Sequence, residues 1–155
     1  VTLIDNNSFK KCSKLTEITI PSSVTSIKDN VFAECTSLAE ITIPSSVTSI
    51  GCCSFYGCTS LKQINIPSSV KTIGYCAFYN CTSLKQITIP SSVTSIGYSA
   101  FLNCSSLSEV KLSTSLREIG KCTFQGCTSL KTIDVPSHIK INKSAFPSST
   151  YIKRI

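Results

Sequence analysis

The stretch ITIPSSVTSI occupies residues 18–27, and the same ten residues recur at 41–50 and 87–96. A near copy, INIPSSVKTI, occupies residues 64–73. All four segments begin at multiples of 23 residues from one another. A fixed period of this length is typical of repeat proteins, in which each unit packs only against its neighbours. The chain is therefore expected to be an array of stacked coils.

The period extends along all 155 residues. When Leu15 is taken as position 1, that position is leucine in every repeat, position 18 is phenylalanine and position 21 is almost always cysteine. The phenylalanines are Phe32, Phe55, Phe78, Phe101, Phe124 and, after a one-residue deletion, Phe146. Large apolar side chains at fixed positions cannot be buried within one short unit, so they are expected to form columns through the stack.

The chain is predicted to be a single domain, residues 1–155, built from full repeats flanked by partial ones. The full repeats are 15–37, 38–60, 61–83, 84–106, 107–129 and 130–151, and the partial ones are 1–14 and 152–155. Val1 and Ile155 leave an apolar cross-section at each end of this array. We therefore hypothesise either a longer array or end-to-end self-association.

Each repeat divides into pieces with different backbone preferences. Positions 2–6 alternate outward and inward, as a short strand does, and the proline at position 7 ends it. Positions 10–13 form a second extended segment. Position 14, which is glycine in Gly51, Gly74, Gly97 and Gly120, is expected to be left-handed. Positions 15–20 are expected to form a short helical turn that directs phenylalanine inward.

The leading phrase L-x-x-I-x-I, as in LTEITI at 15–20, is typical of leucine-rich repeats. The longer phrase ITIPSSVTSIGYSAFLNC at 87–104 closely resembles the BspA-like, or Treponema pallidum-type, class of these repeats. The predicted fold is an α/β repeat solenoid: a right-handed leucine-rich-repeat coil with one parallel sheet, second short extended segments and short helical turns. The resemblance implies a non-catalytic protein-binding module of a cell-surface or secreted protein. Because the BspA-like class includes adhesins, it also implies a host or matrix protein as a candidate partner.

Composition argues against several other classes of function. The net charge of +7 is spread along the chain without a run of Lys or Arg, so no nucleic-acid partner is expected. No apolar segment approaches the ~20 residues of a membrane span, so no direct membrane insertion is expected. The sequence has no histidine partnered with a recurring Cys or Ser, no glycine-rich phosphate loop and no isolated carboxylate pair, and His138 is the single histidine. We therefore predict no enzyme activity, no cofactor and no metal site.

The ten cysteines are interpreted mainly as structural thiols. Those at position 21 form one column, in which parallel Cβ vectors suit a disulfide poorly. Small buried thiols are the expected state of this column. Cys53 and Cys76 share position 16 in adjacent repeats, and a disulfide between them stays open as an alternative.

Two surfaces are candidate binding sites. The first is the outward, concave side of the strands, for which a solvated face without a ligand is the alternative. Its candidate residues are Lys62, Gln63, Asn65, Lys85, Gln86, Thr88, Glu109 and Lys111. The second is a convex aromatic patch, for which partial burial between repeats is the alternative. Its residues are Tyr56, Tyr75, Tyr79 and Tyr98.

Two further readings of the function stay open at this point. An intracellular scaffold would dock partner proteins by the same concave face, and a structural spacer would have no ligand. The sequence alone does not identify the partner, because the repeated residues are those of the scaffold and only the variable positions distinguish one array from another.

Overall fold

A computed structural model describes residues 4–155. The chain winds into successive coils whose strands are all parallel, and most strands pair with residues 23 positions away, for example Ile50 with Ile73. The predicted repeat solenoid is therefore confirmed. Ile152 pairs with Ile133, which is at position 4, so it does not begin a new repeat as the predicted boundary between 151 and 152 requires. Val1, which the pattern places at position 10, lies outside the described residues.

Most coils contribute one strand near their start and a second, shorter strand near their middle. In chain order the strands are β1 (Glu17–Thr19), β2 (Ser26–Ile27), β3 (Glu40–Thr42), β4 (Ser49–Ile50), β5 (Thr72–Ile73), β6 (Gln86–Thr88), β7 (Ser95–Ile96), β8 (Glu109–Lys111), β9 (Glu118–Ile119), β10 (Thr132–Val135), β11 (Lys140–Ile141) and β12 (Tyr151–Arg154). The coils thus present two separate ladders of strands on different sides.

The first ladder lies at positions 3–5 and is divided into the pairs β1–β3, β6–β8 and β10–β12. The sequence predicted one continuous sheet here. Coil 61–83 has no regular strand at this place, although Ile64 and Ile66 point inward and Asn65 outward as predicted. The bond from Lys62 N–H to Ala39 O is long at 3.4 Å, which is weak support for a strand of three residues.

The second ladder lies at positions 12–13. Strands β2, β4, β5 and β7 form one four-stranded sheet, and β9 pairs separately with β11. This ladder confirms the second extended segment of each repeat. The interruption between β7 and β9 coincides with the repeat whose sequence departs most from the others, KLSTSLREI at 111–119.

The predicted helical turn at positions 15–20 is wrong, because residues 4–155 contain no helix. Successive tight turns occupy this segment, and their N–H groups alternate between two kinds of acceptor. Phe78 N–H donates to Ala100 O of the next coil at 2.7 Å, whereas Tyr79 N–H donates to Cys76 O of its own coil at 3.1 Å. A helix would satisfy these groups within one coil, but the alternation also binds each coil to the next.

The left-handed residues lie at positions 16 and 20, so their prediction at position 14 is wrong. Cys76 and Asn80 have φ angles of 52° and 60°, and their equivalents in the neighbouring coils match them. The glycines at position 14 have another role. A Cβ atom on Gly74 would lie 2.5 Å from the carbonyl carbon of Gly51, so glycine here permits close approach of two coils.

The phenylalanine column is confirmed and forms the centre of the core. Seven rings from Phe9 to Phe146 stack with centroids 5.1–5.5 Å apart and interplanar angles of 4–17°. The five rings from Phe32 to Phe124 are fully buried. Each buried ring contributes on the order of 1.5–3 kcal/mol by leaving water, and stacking adds to this. Since every ring is covered by its copies, the column couples the stability of adjacent coils.

The cysteine column lies beside the rings, and each thiol has a specific acceptor. Cys81 Sγ donates to Phe55 O at 3.2 Å, and the same contact recurs through the column. Burial raises the pKa of Cys81 to about 12 and that of Cys35 to about 11. These thiols are thus small buried donors, as interpreted from the sequence. All ten cysteines are free in the structure, so the Cys53–Cys76 disulfide is not formed.

The ring column yields a prediction about stability. Phe78→Ala removes a buried ring from between Phe55 and Phe101 and leaves a cavity that rigid neighbours cannot fill. We expect the free energy of unfolding in urea to fall by about 3–5 kcal/mol. The exposed change Thr88→Ala is the control and should stay within about 0.5 kcal/mol of the parent. A Phe78→Ala protein as stable as this control would contradict the packing described.

The thiol column yields a second prediction. Because burial keeps Cys81 and its equivalents protonated at pH 8, they should react with a thiol reagent only after unfolding. Exposed Cys52 should react within the first phase in native buffer. Counting fast and slow thiols with a chromogenic disulfide, before and after adding guanidinium, measures this. Rapid native labelling of Cys81, located by peptide mapping, would be inconsistent with the structure.

Candidate binding surfaces

The outward side of the first ladder forms a continuous polar surface, here called the front face, made of positions 2, 3 and 5. The inward residues between them, such as Ile64 and Ile87, are at most 8% exposed along this ladder from Ile41 to Ile87. All eight predicted front-face residues are exposed: Lys62, Gln63, Asn65, Lys85, Gln86, Thr88, Glu109 and Lys111. Strand alternation accounts for this, because position 4 turns toward the core and positions 3 and 5 turn away.

A shallow depression of about 490 Å³ lies on the front face. Its polar lining residues are Glu40, Thr42, Gln63, Asn65, Gln86, Thr88, Glu109 and Lys111. Six of the eight predicted residues are therefore brought together in one place. The other two, Lys62 and Lys85, border an adjoining depression with Glu40, Gln63 and Gln86. The structure thus groups all eight, and it adds Glu40 and Thr42.

The front face carries two lysines, Lys62 and Lys85, near its centre, with Glu40 and Glu109 on either side of them. Residues 41–108 include no acidic side chain, whereas Lys62 and Lys85 project from them. Ion pairs in the described part of the chain are Lys28–Asp5 at 2.9 Å and Lys111–Glu109 at 3.3 Å. Both members of the second pair are more than half exposed, so its contribution to stability is small. Lys62 and Lys85 therefore keep their charge available for a partner.

The predicted aromatic patch is on the turn side of the coils. Tyr56 and Tyr79 stack with ring centroids 4.9 Å apart, and Tyr79 is half-buried. Tyr75 and Tyr98 are 53% and 55% exposed. The four tyrosines therefore form two groups. Tyr56 and Tyr79 stack on each other across adjacent coils, and Tyr75 and Tyr98 are mainly in contact with solvent.

A third depression was not predicted from the sequence. It has a volume of about 510 Å³ and lies on the second ladder, where β7 and β9 fail to pair. Two neighbouring repeats supply its titratable lining residues, Arg117 and Glu118 from one and His138 and Lys140 from the next. In the sequence, the only sign of this depression is that residues 111–119 depart from the repeat consensus. That departure does not indicate which strands fail to pair.

Neither metal-binding clusters nor membrane spans are found in residues 4–155. No three histidine, cysteine, aspartate or glutamate side chains in this range come close enough to hold a metal ion. The same residues include no helix with the length and apolarity needed to cross a membrane.

Known proteins resemble this chain in both sequence and structure. A profile of the BspA type leucine-rich repeat region matches residues 2–65 and 26–153, with six copies. A leucine-rich repeat protein from Bacteroides ovatus is 40% identical, with a TM-score of 0.88 over 97% of this chain and 42% of that chain. This chain thus spans less than half of that relative. A comparison with curated proteins found no match.

Two further solved structures share the fold. The Treponema pallidum leucine-rich repeat protein is 29% identical, with a TM-score of 0.81 over 92% of this chain and 70% of that chain. A leucine-rich cell surface protein from Faecalibacterium prausnitzii is also 29% identical, with a TM-score of 0.54 over 92% of this chain and 54% of that chain. Because the repeat profile covers nearly the whole sequence and the coils have the matching architecture, the chain belongs to the BspA-type leucine-rich repeat family.

Proposed function

We propose that this chain is a non-catalytic protein-binding module of a cell-surface or secreted protein, and that it binds its partner through the front face. The observation that carries the proposal is the grouping of the eight variable residues around two adjoining polar depressions, with long side chains that the fold does not use. Residues at repeated positions are taken up by the core, so a surface that differs from coil to coil is where specificity can arise.

The chemistry of the front face restricts the kind of partner. It carries amides, hydroxyls and two lysines without an ion-pair partner among the described residues, and the exposed aromatic residue on this ladder, Tyr151, pairs with Thr132 at its C-terminal end, outside the lining of the depression. The depression therefore has no aromatic anchor of the kind that dominates tight interfaces. Binding would therefore depend on many hydrogen bonds and on attraction between Lys62 and Lys85 and acidic residues of the partner. A host or matrix protein with an acidic surface fits this description, and the module would then act as an adhesin.

The cell-surface location is supported by similarity alone. One of the related solved structures is described as a cell surface protein, and this chain shares its fold over most of its length. An adhesive role also agrees with an elongated scaffold that exposes one long face.

Tyr75 and Tyr98 favour a second contact surface on the turn side. Each ring leaves about half of its surface in water, and the two residues occupy the same position in adjacent coils. Exposed aromatic rings that are close together would bind a separate partner, because they lie on a different side of the coils from the front face.

The front face is tested by reversing its charge. In a Lys62→Glu, Lys85→Glu variant, we expect binding to a matrix protein, chosen from purified fibronectin, laminin and collagen by surface plasmon resonance, to weaken at least about tenfold. The attraction to an acidic partner becomes repulsion, whereas the fold is unaffected because both residues are exposed. The matched control is Lys121→Glu, Lys143→Glu, which makes the same charge change on the turn side.

An equal loss of binding in the two variants would show a non-specific charge effect. Full binding by the Lys62→Glu, Lys85→Glu variant would exclude the front face. If the parent binds no protein of the panel at micromolar concentration, the adhesin proposal fails for matrix proteins and the spacer interpretation gains support.

A further inference from the structure

In the second ladder, the junction between one coil and the next is here called a step. One step differs from its neighbours. Thr94 N–H donates to Lys71 O at 3.0 Å, and Lys140 N–H donates to Arg117 O at 2.9 Å. Among the residues that the structure describes, no hydrogen bond joins Arg117 N–H to Thr94 O, although this is the equivalent contact between the two coils. The coils at 84–106 and 107–129 are therefore separated on this side, and the N–H of Arg117 lacks its ladder partner.

The sequence explains why the opening occurs at this step. Ser113 replaces the proline of position 7, and its buried hydroxyl donates to Val93 O at 2.8 Å. In three other coils a serine at position 9 makes the corresponding contact. The turn is reshaped as a result, and the bond from Leu116 N–H to Ser113 O lengthens to 3.4 Å. In the turns that have proline at position 7, the equivalent N–H···O hydrogen bond is 2.9–3.1 Å long.

The opening is local to one side of the coils. On the turn side of the same step, Phe101 N–H still donates to Thr123 O at 2.9 Å. At the opening, Ile96 is 8% exposed, compared with 2% for Ile73 in the closed step before it. The result is a groove, here called the seam groove, lined by Thr94, Ser95, Ile96, Arg117, Glu118, His138 and Lys140.

The seam groove is rich in groups that bind anions. Arg117 and Lys140 are exposed and come from adjacent coils, and Lys140 pairs in register with Glu118. The hydroxyls of Thr94 and Ser95 add hydrogen-bonding groups, the Nε2 of His138 contacts Thr114 O at 3.0 Å, and Glu118 is the one acidic residue in the lining. The surrounding segment 106–155 carries eight basic and three acidic residues, which attract an anion over a longer range.

The lining also indicates which class of anion fits. Ile96 is the single apolar lining residue and is almost fully buried, so a ligand of the groove would bind through charged and hydrogen-bonding groups without an apolar contact. Single-stranded nucleic acid is bound through aromatic stacking platforms, and the lining has none. A sulfated polysaccharide offers dense charge and many hydroxyls and needs neither feature.

We propose that the seam groove binds a sulfated polysaccharide, with Arg117 and Lys140 on its sulfate groups. Thr94 and Ser95 contact the sugar hydroxyls, and the N–H of Arg117 is an additional donor to the ligand. This site is separate from the front face and independent of the protein-binding function. It makes the module a receptor for two chemical classes at once, a protein on one side and a sulfated glycan on another.

The test uses a heparin octasaccharide as the probe and isothermal titration calorimetry at 150 mM salt. Arg117→Gln, Lys140→Gln is expected to weaken binding at least tenfold and to reduce the dependence of affinity on salt. Lys62→Gln, Lys85→Gln removes the same charge from the front face and is expected to change affinity less than twofold. All four residues are exposed, so thermal unfolding of both variants should match the parent.

Each alternative outcome overturns the proposal. Equal losses in the two variants would mean that net charge alone attracts the polysaccharide. Equally tight binding of poly-glutamate or of a single-stranded oligothymidylate would show that the groove takes a different class of polyanion, and no binding of the octasaccharide would exclude the site. Binding of a matrix protein depends on Lys62 and Lys85 instead, so either proposal can fail without the other.

Discussion

Stacking of identical positions in successive coils is the constraint on which the rest of this structure depends. Each inward side chain is covered by the residue at the same position one repeat away, as Phe78 is covered by Phe55 and Phe101. The backbone follows the same rule, because half of the N–H groups on the turn side bond to the next coil. A single coil could satisfy neither its apolar side chains nor its amides, so order in one coil requires order in its neighbours.

This constraint also decides where function can lie. Positions that stack in the core must repeat, and their cysteines and phenylalanines are held by contacts that leave no free reactive group. The outward positions 2, 3 and 5 can vary without disturbing the stack, and they form the front face. The other source of variation is a coil that departs from the consensus. Coil 107–129 does so at Ser113 and Leu116, and the lost ladder contact produces the seam groove.

The period in the sequence was sufficient to predict the solenoid, the strand at the start of most repeats and the column of rings, because all three follow from apolar residues that recur at fixed positions. The left-handed residues were misplaced, since Cys76 and Ser99 carry no signal for that conformation, whereas the glycines of position 14 serve close packing instead. The helical turn was wrong because the competing acceptors belong to another coil. The exposure of the eight front-face residues was predicted from strand alternation, whereas their role in binding stays a prediction. The seam groove could not be predicted, because it depends on one hydrogen bond that two particular coils do not make.

The coupling between adjacent rings tests this account most directly. A double-mutant cycle on Phe78→Leu and Phe101→Leu, measured by urea unfolding, should give an interaction energy of about 0.5–3 kcal/mol, because the two rings are in contact. The same cycle on Phe32→Leu and Phe101→Leu, whose rings are separated by two others, should be additive to within about 0.5 kcal/mol. If Phe78 and Phe101 are as additive as the distant pair, the rings do not stabilise one another, and coil-on-coil stacking is not what holds this solenoid together.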